Sequence, residues 1–217
     1  MSIRILLVDD HEIIRLGLKA ILAQHKDLEV VAEASDGREA LGLVEKHSPD
    51  VVIMDVAMPG LNGIDGTLRI REQFPAVRVI VLSMHLERSY VGQTLKAGAY
   101  GYVLKERAVE ELVPAIRSVR AGRKFLSPGV TDIVLAGYLE SNAEAPPSSA
   151  FSDLTARERD VLQHIAEGRS IKEIGDILHL SPKTIETHKR RIMERLNITS
   201  VAGLTRYAVR HGLVSLE

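Results

Sequence analysis

The chain of 217 residues contains no cysteine. That removes disulfide bridges, thiolate nucleophiles and sulfur-ligated zinc together, and it accords with a reducing compartment. No run of about 18 apolar residues is present to cross a membrane. Met1 to Asp10 enters a strand pattern at once, where a signal peptide would show a basic stretch and then an apolar one. A cytoplasmic location is therefore expected. The eight histidines have no HExxH-like spacing, and no G-x-G-x-x-G follows Val8, which counts against a zinc protease and a dinucleotide-binding enzyme. Strong charge of either sign is missing too. Residues 151–217 carry 11 Lys and Arg against 9 Asp and Glu, and the rest of the chain 17 against 20. Any affinity for nucleic acid must then be local.

What remains points to two domains, since this length is generous for one compact core and 45% hydrophobic residues fill two ordinary ones. Five short apolar runs recur: "IRILLV" at 3–8, "EVVAEA" at 29–34, "VVIM" at 51–54, "VRVIVLS" at 77–83 and "GYVLK" at 101–105. Each reads as a buried parallel strand. Helical spacing fills the gaps, as in Ile13, Ile14, Leu18, Ile21 and Leu22. Strand and helix alternate five times, which predicts a three-layer α/β sandwich built on a five-stranded, doubly wound parallel sheet. The first domain is expected to close near 122. Residues 123–150 then form a linker with a helix from about Thr131, ending in the small-residue stretch "SNAEAPPSSA" at 141–150. From 151 to 217 the β-branched runs stop, and four helices are expected at about 155–167, 171–178, 182–196 and 200–211. Thr155 and Glu158 have capping-box spacing, Gly168 suits a helix stop, and Ser181 before Pro182 places a cap ahead of a first-turn proline.

The strand ends carry the chemistry. In a parallel α/β sheet, ligands gather outside the carboxyl ends of the strands. Here the first strand ends in Asp9 and Asp10, the third in Asp55, the fourth in Ser83 and the fifth in Lys105. Clustered carboxylates repel unless a cation sits among them. A hard divalent ion with oxygen ligands, Mg²⁺, fits that need and keeps positions open for phosphate oxygens. Asp55 is then placed to take a phosphoryl group, with Ser83 and Lys105 bonding its remaining oxygens.

The segments "VDDH" at 8–11, "DVAMPGLNG" at 55–63, Ser83 and "GAYGYVLK" at 98–105 together resemble the receiver domain of bacterial two-component response regulators. The resemblance implies a flavodoxin-like fold and phosphorylation of Asp55 by a sensor histidine kinase. It also implies Mg²⁺ held by Asp10, Asp55 and the Ala57 carbonyl with Asp9 in support, Ser83 and Tyr102 as the switch pair, and Lys105 as the phosphate partner. Glu106 departs from the proline common after that lysine, which leaves open whether the intervening peptide is cis. The expected chemistry is Mg²⁺-dependent self-phosphorylation and dephosphorylation at Asp55, not turnover as an enzyme. Two alternatives are weighed. A haloacid-dehalogenase-like phosphatase also forms an aspartyl phosphate, but its DxDx[TV] pattern after the first strand is not met by "DDHEI". A constitutive binding module with a retired pocket would not need all of Asp9, Asp10, Asp55, Ser83 and Lys105.

In "PKTIETHKRRIMERL" at 182–196, Ile185, Ile192, Met193 and Leu196 form one helical stripe. Lys183, Glu186, Thr187, Arg190, Arg191 and Glu194 form the opposite, polar arc. Lys189 falls inside the apolar stripe, so its stem is expected to pack while the ammonium reaches water. The preceding helix ends only three or four residues earlier, the spacing of a helix-turn-helix. "LTARERDVL", "IAEGRSIKEI" and "LSPKTIETHKRRIMERL" resemble the helix-turn-helix of the LuxR and NarL/FixJ type. That resemblance implies promoter DNA as partner, base-edge contacts from Glu186, Thr187 and Arg190, and contacts nearer the backbone from Lys183, Thr184, His188 and Arg191. A homodimer on phosphorylation is expected, because one short helix makes too few base contacts for a tight site.

Overall fold

The protein is described from a computed structural model over residues 2–140, 154–211 and 213–214. It divides into two compact units, Met1–Ala145 and Pro146–Glu217. Among the described residues no helix is long and apolar enough to cross a membrane. The linking stretch expected at 141–150 lies outside the described residues.

The first unit alternates strands and helices: β1 (Ile3–Val8), α1 (Glu12–Leu22), β2 (Leu28–Ala34), α2 (Gly37–His47), β3 (Val51–Asp55), α3 (Gly63–Gln73), β4 (Arg78–Ser83), α4 (Arg88–Ala97), β5 (Gly101–Leu104) and α5 (Ala108–Arg120). A 3-10 turn, Lys105–Arg107, joins β5 to α5. The strands are parallel and lie in the order β2-β1-β3-β4-β5, with one more strand at the β5 edge. All five residues of β3 are buried, as expected where helices cover both faces of a parallel sheet. Alternate residues Ile5, Leu7, Val51, Ile53, Ile80, Leu82 and Val103 pack with Leu18 and Leu22 of α1 and Leu112, Ile116 and Val119 of α5. Two of the helices, α2 and α3, start where a side chain satisfies their first N–H groups. Asp36 accepts from Arg38 and Glu39 ahead of α2, and Asn62 accepts from Ile64 and Asp65 ahead of α3.

Two features differ from the sequence expectation. The sheet has six strands, not five, because β6 (Phe125–Leu126) pairs with β5 through Gly101↔Phe125 and Tyr102↔Leu126. Two residues are too few to show an alternation. The following helix, α6 (Pro128–Glu140), begins three residues before Thr131 and packs on α4, so 123–140 belongs to the first unit rather than to a linker.

The second unit is all-helical: α7 (Ala156–Ala166), α8 (Ile171–Leu178), α9 (Pro182–Leu196) and α10 (Val201–Arg210). Its core gathers Leu154, Val161, Leu162, Ile174, Leu178, Ile185, Ile192 and Leu204. The capping box of Thr155 and Glu158 is formed in both directions, Gly168 has φ +79°, and Ser181 accepts from Thr184 ahead of Pro182.

Candidate functional site

β1 and β3 are neighbours from which the strand order departs in opposite directions, so their carboxyl ends open a crevice. Asp9 and Asp55 line it, 1% and 3% exposed. Asp10 is half-buried. The turn after Asp55 is fixed by two glycines of the "MPGLNG" segment. Gly60 has φ +83°, a conformation that suits glycine. A Cβ on Gly63 would stand 1.7 Å from the Asp55 carbonyl oxygen. No larger residue fits there.

Lys105, the first residue of the 3-10 turn, extends back over the crevice. Its Nζ donates to Asp9 Oδ2 at 2.8 Å and to Asp55 Oδ2 at 2.7 Å. Part of the counter-charge expected from a metal is therefore supplied by the chain itself. Burial pushes the Asp55 carboxyl up to about 6; Lys105 pulls against that and Asp9 adds to it. Burial works against the Lys105 ammonium, but the two carboxylates outweigh it and hold its pKa above the ordinary lysine value. The peptide between Lys105 and Glu106 is trans, since no cis bond occurs among the described residues.

Three carboxylates face one ammonium, which leaves negative charge to be balanced. Asp9, Asp10, His11 and Asp55 bring ligand atoms within 4.8 Å of one another. The buried Asp10 Oδ1 has no hydrogen-bond partner, although His11 Nδ1 lies 3.0 Å away. An orphaned carboxylate oxygen beside two further carboxylates is a donor set for a hard cation, so the cluster could hold a metal. Ala57 follows Asp55 by two residues and is half-buried.

Ser83 ends β4, 1% exposed, and its Oγ accepts from the His85 amide at 3.0 Å. Tyr102 of β5 is fully buried and donates its hydroxyl to the His85 carbonyl at 2.7 Å. Burial pushes the Tyr102 phenol up to about 12, so it remains a donor. The two expected switch residues thus meet on the backbone of one loop residue, His85, whose ring stacks on Tyr90 with centroids 4.3 Å apart. Sequence reasoning missed His85, as it missed Arg15, which donates to the Asp9 carbonyl at 2.6 Å. Arg15 lies four residues beyond His11, one helical turn from the acidic cluster, and that spacing was the available signal.

In the second unit α8 and α9 make a tight corner. His179 adopts a left-handed conformation, φ 54°, and Leu180 N donates to the Gly175 carbonyl at 2.9 Å. A Cβ on Gly175 would lie 2.7 Å from the Leu180 carbonyl oxygen, so the closeness of the two helices depends on that glycine. On α9, Lys183, Glu186, Arg190 and Arg191 are exposed. Thr184 and Thr187 are half-buried and engage Ser181 and the Lys183 carbonyl. Arg190 Nε stands 3.8 Å from Glu194. Lys189, with 25% of its side chain exposed, lies partly in the apolar face as its wheel position implies. His188 is half-buried, and its buried Nδ1 has no hydrogen-bond partner.

The family described as "Response regulator receiver domain" matches residues 5–117, and "Bacterial regulatory proteins, luxR family" matches 152–208. Transcriptional regulatory protein MctR of Rhizobium johnstonii is 40% identical over 99% of this chain and 96% of its own length. Response regulator UvrY of Escherichia coli is 37% identical over 99% and 97%. Among solved structures, RcsB from Salmonella enterica serovar Typhimurium, bound to promoter P1flhDC in the presence of phosphomimetic BeF3-, is 27% identical with a TM-score of 0.62, over 99% of this chain and all of that one. With an acidic crevice on a receiver fold and a tight helix-turn-helix later in the sequence, the chain belongs to the response-regulator family of NarL/FixJ type, transcription factors that join a receiver domain to a LuxR-type DNA-binding domain.

Proposed function

We propose that Asp55 is the phosphoryl acceptor of this response regulator, charged by a histidine kinase, and that the phosphoryl group governs promoter binding by α9. The observation that carries the reading is the buried Asp55 carboxylate at the mouth of the crevice, paired with Lys105 and flanked by Asp9 and Asp10. A carboxylate oxygen attacks phosphorus, the bond from phosphorus to the donor nitrogen breaks, and its electron pair returns to the kinase imidazole. Asp10, Asp55 and the Ala57 carbonyl would hold Mg²⁺, with Asp9 in support. When bound, the ion neutralises charge on the transferring group. Lys105 exchanges a carboxylate oxygen for a phosphoryl oxygen, and Ser83 offers its hydroxyl to another. Tyr102 reports the change through the loop at His85. The chain's own chemistry is confined to gain and loss of this phosphoryl group, in the cytoplasm.

On DNA, Glu186, Thr187 and Arg190 of α9 read base edges, Glu from cytosine N4, Arg to guanine and the Thr methyl against thymine. Lys183, Thr184, His188 and Arg191 serve the backbone. A homodimer formed on phosphorylation sets two such helices on half-sites about one DNA turn apart. Incubation with acetyl phosphate and Mg²⁺, followed by intact mass, tests the acceptor. A stable gain on the wild type that is absent from Asp55→Asn is expected. No gain would refute phosphorylation, and rapid release of free phosphate would favour a phosphatase.

A further inference from the structure

Ser127 directly precedes the helix-opening Pro128, where a serine hydroxyl usually caps the helix. Its carbonyl does accept from Val130 N at 2.9 Å and Thr131 N at 3.0 Å. Its hydroxyl serves elsewhere. It accepts from Leu104 N at 3.2 Å and donates to Glu111 Oε2. Ser127 is fully buried and Glu111 is 8% exposed. The other Glu111 oxygen takes Arg107 Nε, the last residue of the turn that starts at Lys105. Lys105 is thus flanked on both sides, at Leu104 and Arg107, by groups tied to one buried carboxylate and one buried hydroxyl. A buried carboxylate is costly unless its partners are well placed, so this arrangement holds the turn firmly.

The same helix reaches the other half of the crevice. Ser127 N donates to the Tyr102 carbonyl at 2.9 Å. Leu86, in the loop that carries His85, is the nearest neighbour of a Cβ built on Gly129, at 3.6 Å. Arg88 donates to the Gly137 carbonyl at 3.0 Å. Elements bearing both Lys105 and the Ser83–Tyr102 pair therefore lean on α6.

We propose that Arg107, Glu111 and Ser127 form a positioning clamp for Lys105, and that through this clamp α6 registers whether Asp55 carries a phosphoryl group. The inference rests on Asp55 being the acceptor. Drawing Lys105 towards a phosphoryl oxygen pulls on the 104–107 backbone. The clamp passes that displacement to Ser127, the residue directly before α6.

Hydrogen exchange on the full chain, with and without acetyl phosphate and Mg²⁺, tests this, with Asp55 loading read by intact mass on the same samples. In the wild type, loading should slow exchange at both 104–107 and 128–137. In Ser127→Ala, Asp55 should still load, while the response at 128–137 falls at least about threefold. Arg107→Ala alters an exposed arm of the clamp and should show the same separation, and it decides the matter where Ser127→Ala does not fold. Exchange at 128–137 that ignores loading in the wild type, or a wild-type response in Arg107→Ala, would overturn the clamp. Absence of loading in the wild type would instead overturn the acceptor assignment, and the clamp with it.

Discussion

Asp55→Asn should make the protein more stable in metal-free buffer, and by an amount that depends on pH. The Asp55 carboxyl is nearly inaccessible, and its folded pKa is pushed from 3.8 to about 6. An acid whose folded pKa lies above its unfolded value titrates more readily in the unfolded chain. It costs the folded state nothing below about pH 4, an increasing amount between about 4 and 6, and a constant amount above. With each pKa unit near 1.4 kcal/mol, the plateau is about 3 kcal/mol. Asparagine keeps the shape, removes the charge and leaves Lys105 its bond to Asp9. Urea unfolding of both proteins with a chelator present, at about pH 4.5 and pH 7.5, measures the difference. The variant should gain about 1 to 3 kcal/mol at the higher pH and much less at the lower. A gain independent of pH, or a variant less stable at pH 7.5, would refute the claim that burial of this charge strains the crevice. Mg²⁺ should reduce the gap, since only the wild type retains the full set of carboxylates for it.

Gly175→Ala adds a Cβ 2.7 Å from the Leu180 carbonyl. Forcing the corner between α8 and α9 open should cost about 1 to 3 kcal/mol, more than the roughly 1 kcal/mol of helix propensity gained. Unchanged thermal unfolding of the second unit together with unchanged DNA affinity would show that the corner is not tight. Arg190→Ala should lose about 1 to 3 kcal/mol of discrimination at one base pair, whereas Arg191→Ala should weaken all sequences alike and flatten the salt dependence. Titrations against operator and random DNA at several salt concentrations separate the two, and equal losses on both DNAs for Arg190→Ala would make it a phosphate contact.

Local signals carried much of this protein. Runs such as "VVIM" reveal strands because both faces of a parallel sheet are buried, and Thr155–Glu158 or Ser181–Pro182 reveal helix starts because a cap involves only its own turn. The crevice was legible for a related reason: once five parallel strands are recognised, topology alone brings Asp9, Asp10, Asp55, Ser83 and Lys105 to one edge. Contacts across that edge were not. Lys105 reaches Asp9 across 96 positions and Asp55 across 50, and nothing periodic in a sequence marks partners so far apart. The two-residue β6 offered no alternation, and nothing local to Ser127 marks Glu111, 16 positions away, as the partner of its hydroxyl. Gly175 passed as an unremarked helical residue until the Leu180 carbonyl was seen against it. Residue type and period thus determined which elements form and which groups gather at the strand ends. Only the packed chain decided which oxygen each donor meets, because hydrogen-bond partners are chosen by position in space and not by separation along the backbone.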